Sequence, residues 1–186
     1  MALFNYSLFS LVSVLLIIFC AFRLSAASFR VELAPSQVAA LCKESINHTF
    51  CLDFLNSTAG IPAADLLGAG KITLKVGRDK ALDARKCVKA LLAQTTDPKL
   101  KESYKTCMEN YGDATDAISA AKASLVAKDY ATANIKISAA QTDADTCDDE
   151  VKGLPAAAEL GERNRYLFNL LNIGLLITNK LGGFHE

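Results

Sequence analysis

The sequence predicts an all-α protein: an antiparallel, up-down four-helix bundle preceded by a disulfide-stapled helical hairpin. Three observations carry this. Apolar or small residues recur at steps of three and four through Tyr104, Cys107, Tyr111, Ala114, Ile118, Ala121 and Leu125, which is one face of a helix. The same pattern resumes through Tyr130, Ala133, Ile137, Ala140, Ala144, Cys147 and Val151 after the short link Ala127-Lys128-Asp129, so the two helices must run antiparallel. Cys107 and Cys147 each lie twenty residues from Ala127. At equal rise per residue their sulfurs come level at one end of the pair, on the buried seam, and are expected to join.

The whole chain divides into three parts. Residues 1–27 read as a signal peptide: 8–21 are almost wholly apolar and Ser25-Ala26-Ala27 offers small residues for cleavage. The apolar run is short for a membrane anchor, although the usual cation ahead of it is missing. Arg23 leaves with the segment, so 19 of the 20 Lys and Arg remain against 20 Asp and Glu, a net of −1. That balance argues against a nucleic-acid binder. No second long apolar span follows, so no membrane association is expected after cleavage.

Residues 28–60 are expected to form the N-terminal hairpin. Residues 35–45 read as one short helix, with Val38, Leu41 and Cys42 inward, and 47–55 as a second. Cys42 and Cys51 are close enough in sequence to staple them, which secretion permits. The chain-entropy model assigns about 4 kcal/mol to the 107–147 link and somewhat under 3 to the shorter one. Asn47-His48-Thr49 and Asn56-Ser57-Thr58 are both glycosylation sequons, making Asn47 and Asn56 candidate attachment sites. Cys20 leaves with the signal, and Cys87 is left as a buried free thiol.

Residues 61–186 are expected to be the bundle. A long helix is predicted over 63–94. Leu67, Leu74, Ala81 and Val88 repeat every seven residues, and Gly70, Gly77, Ala84 and Leu91 form a companion row whose small residues admit a close neighbour. Gly68-Ala69-Gly70 lacks both a preceding strand and a following Gly-Lys-Ser/Thr, so it is no phosphate loop. Thr96-Asp97-Pro98 marks a break and restart, with Asp as cap and Pro in the first turn. After the central pair, Gly153 and Pro155 predict a loop over 152–159. The last helix, near 160–181, carries Leu167, Leu171, Ile177 and Leu181 on one stripe and stops at Gly182-Gly183.

Catalysis has little to work with. The two histidines are His48, inside a sequon, and His185, beside the C-terminus; neither has a metal-ligand or nucleophile–base spacing. No catalytic residue, metal site, cofactor or small-molecule substrate is expected. A binding surface is. Glu109, Asp113 and Asp116 form an acidic stripe away from the Tyr111 seam. Asp143, Asp145, Asp148, Asp149 and Glu150 crowd the end of the partner helix, where negative charge opposes the helix dipole and like charges repel. Stability does not explain that placement, whereas a partner surface of complementary charge does. Thr146 lies with them.

The run Thr96-Asp97-Pro98-Lys99-Leu100-Lys101, then Tyr104, Cys107, Glu109-Asn110-Tyr111, Asp113-Ala114 and Asp116, resembles the plant pectin methylesterase inhibitors. So do Asp129-Tyr130, Asn134-Ile135, Ser138-Ala139-Ala140, Thr146-Cys147-Asp148-Asp149 and Asn172-Ile173-Gly174-Leu175. The resemblance implies a secreted, non-enzymatic inhibitor of the plant cell wall (apoplast). It implies one-to-one binding over the substrate cleft of pectin methylesterase, so that pectin keeps its methyl esters. The contact positions carried over are Glu109, Asn110, Asp113, Asp116, Thr146 and Asp149, and the disulfides implied are Cys42–Cys51 and Cys107–Cys147. A sister branch inhibits acid invertases, many with Pro-Lys-Phe after the Asp of the central turn. Here the turn reads Lys128-Asp129-Tyr130-Ala131-Thr132, which favours the esterase branch and leaves invertase as the alternative. Gly112, where that family often has Ala, weakens its helix by about 1 kcal/mol.

Overall fold

A computed structural model describes residues 32–62 and 64–184. The predicted signal peptide and His185 lie outside the described residues. Six helices and no strand occur among them: α1 (Pro35–Lys43), α2 (His48–Ser57), α3 (Leu66–Gln94), α4 (Pro98–Val126), α5 (Tyr130–Glu150) and α6 (Ala157–Gly182).

The last four close into a bundle. α3 packs on α4, α4 on α5, α5 on α6 and α6 back on α3, and the short links make each neighbouring pair antiparallel. The seams are those the periodicity predicts: Tyr104, Cys107, Tyr111, Ala114, Ile118, Ala121 and Leu125 of α4 are all buried, as are Ala133, Ile137, Ala140, Ala144 and Cys147 of α5. Gly70 shows what the small row of α3 is for. A Cβ there would come within 3.0 Å of both Ile177 and Leu125, so α3 approaches α4 and α6 at a distance that only glycine allows.

Side-chain caps set most helix starts. Asn47 accepts a hydrogen bond from the Phe50 N–H, Asp65 from that of Gly68, Asp97 from those of Lys99 and Leu100, and Asp129 from that of Thr132. These caps correct the expected boundaries. The long helix starts at Leu66 because Asp65 caps it. α1 ends at Lys43, with Glu44 as its C-cap, and α2 runs on to Ser57. α6 starts at Ala157, so the loop before it is shorter than expected. It stops where Gly183 turns left-handed (φ 68°) and bonds Asn179. The α4–α5 link turns on Lys128, also left-handed at φ 62°, with no glycine to announce it.

α1 and α2 form the hairpin. The Cys42 and Cys51 sulfurs are bonded at 2.01 Å. Leu33, Val38, Leu41, Phe54, Leu55 and Ile61 pack with Ala69 of α3 and Leu170, Ile173 and Ile177 of α6 as a second core. Asn172 of α6 pins the hairpin tip, its Oδ1 accepting from the Ser45 hydroxyl (2.9 Å) and the Ile46 N–H (3.2 Å). His48 has its Nδ1 2.9 Å from the Cys42 carbonyl, a bond within the hairpin.

Candidate functional site

The candidate site is the end of the α4–α5 pair farthest from its turn. Cys107 and Cys147 are bonded there, their Cα atoms 4.7 Å apart and both residues fully buried. The bond fixes the register of the two helices. At about 1.5 Å per residue, Asp149 lies roughly 3 Å beyond the disulfide, and Asp113 and Asp116 roughly 9 and 13 Å toward the turn. The acids form a band about 16 Å long across two helices.

The expected contact residues fall as follows. Glu109, Asp113, Asp116, Thr146 and Asp149 are exposed. Asn110 is half-buried, and its Nδ2 is a buried donor with no partner among the described residues. The Thr146 hydroxyl donates to the Thr142 carbonyl (2.8 Å), leaving its oxygen free to accept. The ion pairs among the described residues are Lys75–Asp79, Lys86–Asp83 and Arg163–Glu159, none of which involves the band. Its charge is uncompensated by any of these pairs, and two of its carboxyls show the consequence. Burial pushes Asp143 above the ordinary aspartate value, and the Asp113 carboxylate across the seam adds to it. Burial also raises Asp145, with help from Asp148 and Asp149.

Asp148 behaves differently. Its Oδ1 accepts from the Asn164 Nδ2 (3.2 Å), and the Asn164 Oδ1 accepts from the Tyr111 hydroxyl. Burial, with the Asp148 charge second, holds the Tyr111 phenol far above its usual range, so it remains a donor. This chain of three side chains ties α4, α6 and α5 together at the level of the band. The sequence reading missed it. The available signal was Asn164 itself, a polar residue on the stripe of Leu160, Leu167 and Leu171. Also unforeseen is Arg85 of α3. Its guanidinium lies over Gly112, 3.4–3.6 Å from where a Cβ would stand, beside the band.

Cys87 corrects an expectation. It is a free thiol, as predicted, but partly exposed rather than buried. It packs at the edge of the core and donates to the carboxylate of Glu159, at the start of α6 (3.2 Å). Burial and that bond raise its pKa, so it is held as the unreactive thiol. Among the described residues, no cluster of metal-ligating side chains occurs.

Residues 36–177 match the family model described as plant invertase/pectin methylesterase inhibitor. The chain belongs to this family. Its members are enzyme inhibitors, not enzymes. A pectinesterase inhibitor of Actinidia deliciosa is 37% identical over 147 residues, covering 78% of this chain and 80% of the relative. A putative invertase inhibitor of Platanus orientalis is 33% identical over 141 residues, 74% of this chain and 82% of the relative. A crystal structure of a mutant form of a pectin methylesterase inhibitor from Arabidopsis superposes with a TM-score of 0.69 at 30% identity, over 77% of this chain and 95% of that one. The helical fold is thus that of the inhibitor family.

Proposed function

We propose that this protein inhibits a plant pectin methylesterase by binding it one to one, with Glu109, Asn110, Asp113, Asp116, Thr146 and Asp149 as contact residues. The observation that supports this most is the band itself: a disulfide holds two sets of acids level on neighbouring helices, with no ion pair among the described residues to neutralise them. Such a surface is paid for in stability, and a partner with complementary charge recovers that cost on binding. The exposed carboxylates fix register on the enzyme, and the Thr146 oxygen accepts a hydrogen bond. The inhibitor then covers the substrate cleft, pectin is kept from the catalytic carboxylates, and the methyl esters persist. The signal peptide routes the protein to the apoplast and cell wall, where the substrate is.

The putative invertase inhibitor among the relatives favours a second reading, inhibition of an acid invertase. The central turn speaks against it: Asp129 caps α5 and is followed by Tyr130-Ala131-Thr132, without Pro-Lys-Phe. Assaying the purified protein against a plant pectin methylesterase and a plant acid invertase distinguishes the two. Loss of esterase activity alone is expected, and loss of invertase activity alone assigns the protein to the sister branch. Asp113→Lys and Asp116→Lys should each weaken esterase inhibition about tenfold or more, with melting temperatures nearly unchanged because both residues are exposed. Unchanged inhibition in both variants returns the band to an ordinary solvated face.

A further inference from the structure

A cleft of about 480 Å³ opens where the tip of the α1–α2 hairpin meets the end of α5 and the first half of α6, a size typical of small-ligand sites. Its wall suits an uncharged, hydroxyl-rich occupant. Asp145 and Asp148 share it with Lys152 and Arg165, so a charged ligand meets both signs and gains little. Phe168 adds an apolar flank on which the C–H face of a sugar ring can rest. Asn169 is the deciding side chain. It lines the cleft, is 8% exposed and makes no side-chain hydrogen bond among the described residues, whereas Asn164 beside it is bonded to Tyr111 and Asp148. The Asn169 amide atoms are open to the cleft and uncommitted within the fold, so they are free to bond a donor–acceptor group seated there.

The occupant can come from the chain itself. Ile46 lines the mouth of the cleft at 61% exposure, and the next residue is the exposed Asn47 of the sequon Asn47-His48-Thr49. We propose that an N-linked glycan on Asn47 folds back into this cleft, its first sugars covering Ile46 and Phe168 and offering hydroxyl and acetamido groups to Asn169 and Arg165. Attachment forms a bond from the Asn47 Nδ2 to the anomeric carbon of a lipid-pyrophosphate-linked oligosaccharide. The bond from that carbon to the pyrophosphate oxygen breaks, and the amide loses one proton as the lipid pyrophosphate leaves. The α2 cap survives this, because Asn47 accepts from the Phe50 N–H (3.1 Å) through Oδ1, which the glycan leaves free. The other sequon, at Asn56, lies in the last turns of α2, and no residue adjoining it lines the cleft. Seated this way, the glycan bridges hairpin and bundle and borders the acid band without depending on what the band binds.

Hydrogen exchange on the full chain, secreted from plant or insect cells, tests this, with glycopeptide mass spectrometry reporting Asn47 occupancy. Enzymatic removal of the sugar converts the Asn47 amide to a carboxylate, and an aspartate at this position still caps the helix. The expected result is at least threefold faster exchange at 152–163 and at the hairpin turn after removal. Arg165→Ala, at an exposed position that does not threaten the fold, should keep the sugar and lose that protection. An Asn47 without sugar, equal exchange with and without it, or full protection in the Arg165→Ala glycoform overturns the proposal.

Discussion

Tyr111, Asn164 and Asp148 illustrate what a single hydrogen bond does in this core. Tyr111 is fully buried and Asn164 nearly so, so the carbonyl of Asn164 has no water to replace a lost donor. Tyr111→Phe keeps the ring and removes only the hydroxyl. It should cost about 1–3 kcal/mol, the penalty of an unsatisfied buried acceptor, read as a lower urea midpoint with an unchanged m-value. Gly112→Ala should act in the opposite direction. Gly112 is interior to α4, and its missing Cβ would stand at ordinary contact distance from the flexible Arg85 guanidinium. The substitution should add about 1 kcal/mol of helix stability and raise the melting temperature by roughly 2–4 °C. A fall instead would mean that Arg85 cannot move aside.

At the scale of elements, the two disulfides do different work. Cys107–Cys147 closes a separation of 40 residues and Cys42–Cys51 one of 9. Replacing the first pair by serine should cost about 4 kcal/mol and replacing the second somewhat under 3, from the chain entropy released in the unfolded state. The functional effects should separate further. Without Cys107–Cys147 the register of α4 against α5 is no longer locked, and the acids of the band lose their common level. Inhibition should then fall even under conditions where circular dichroism shows the variant folded. Without Cys42–Cys51, the hairpin still has Asn172 and its own apolar core, and inhibition should survive.

For the whole molecule, the acid band sets a pH dependence whose sign follows from its raised carboxyls. Asp143 and Asp145 are harder to ionise folded than unfolded. Their contribution to stability is therefore full below the ordinary aspartate value of 3.8 and is lost as pH rises through their higher folded values. Asp79, Asp129 and Glu159 are lowered and act in the opposite sense, but they are almost wholly solvated and their effect is screened. In Asp143→Asn, the loss of urea stability just above pH 3.8 should be shallower than in the native protein. An equal slope would mean that neither burial nor the neighbouring Asp113 raises Asp143 in the folded protein.

The sequence by itself determined the helices, their inward faces, both sulfur pairs and the acids on one end of the central pair, because each is written in local spacing. A period of three to four residues can follow only a helix, and a link of three residues can join only antiparallel neighbours. The tertiary structure alone decided how α6 closes the bundle, why Asn164 interrupts its apolar stripe, where the hairpin rests and which way Cys87 points. These depend on residues far apart in the chain, such as Tyr111 with Asn164 or Ser45 with Asn172, whose meeting is set by the packing of whole helices and leaves no mark in the pattern of either one.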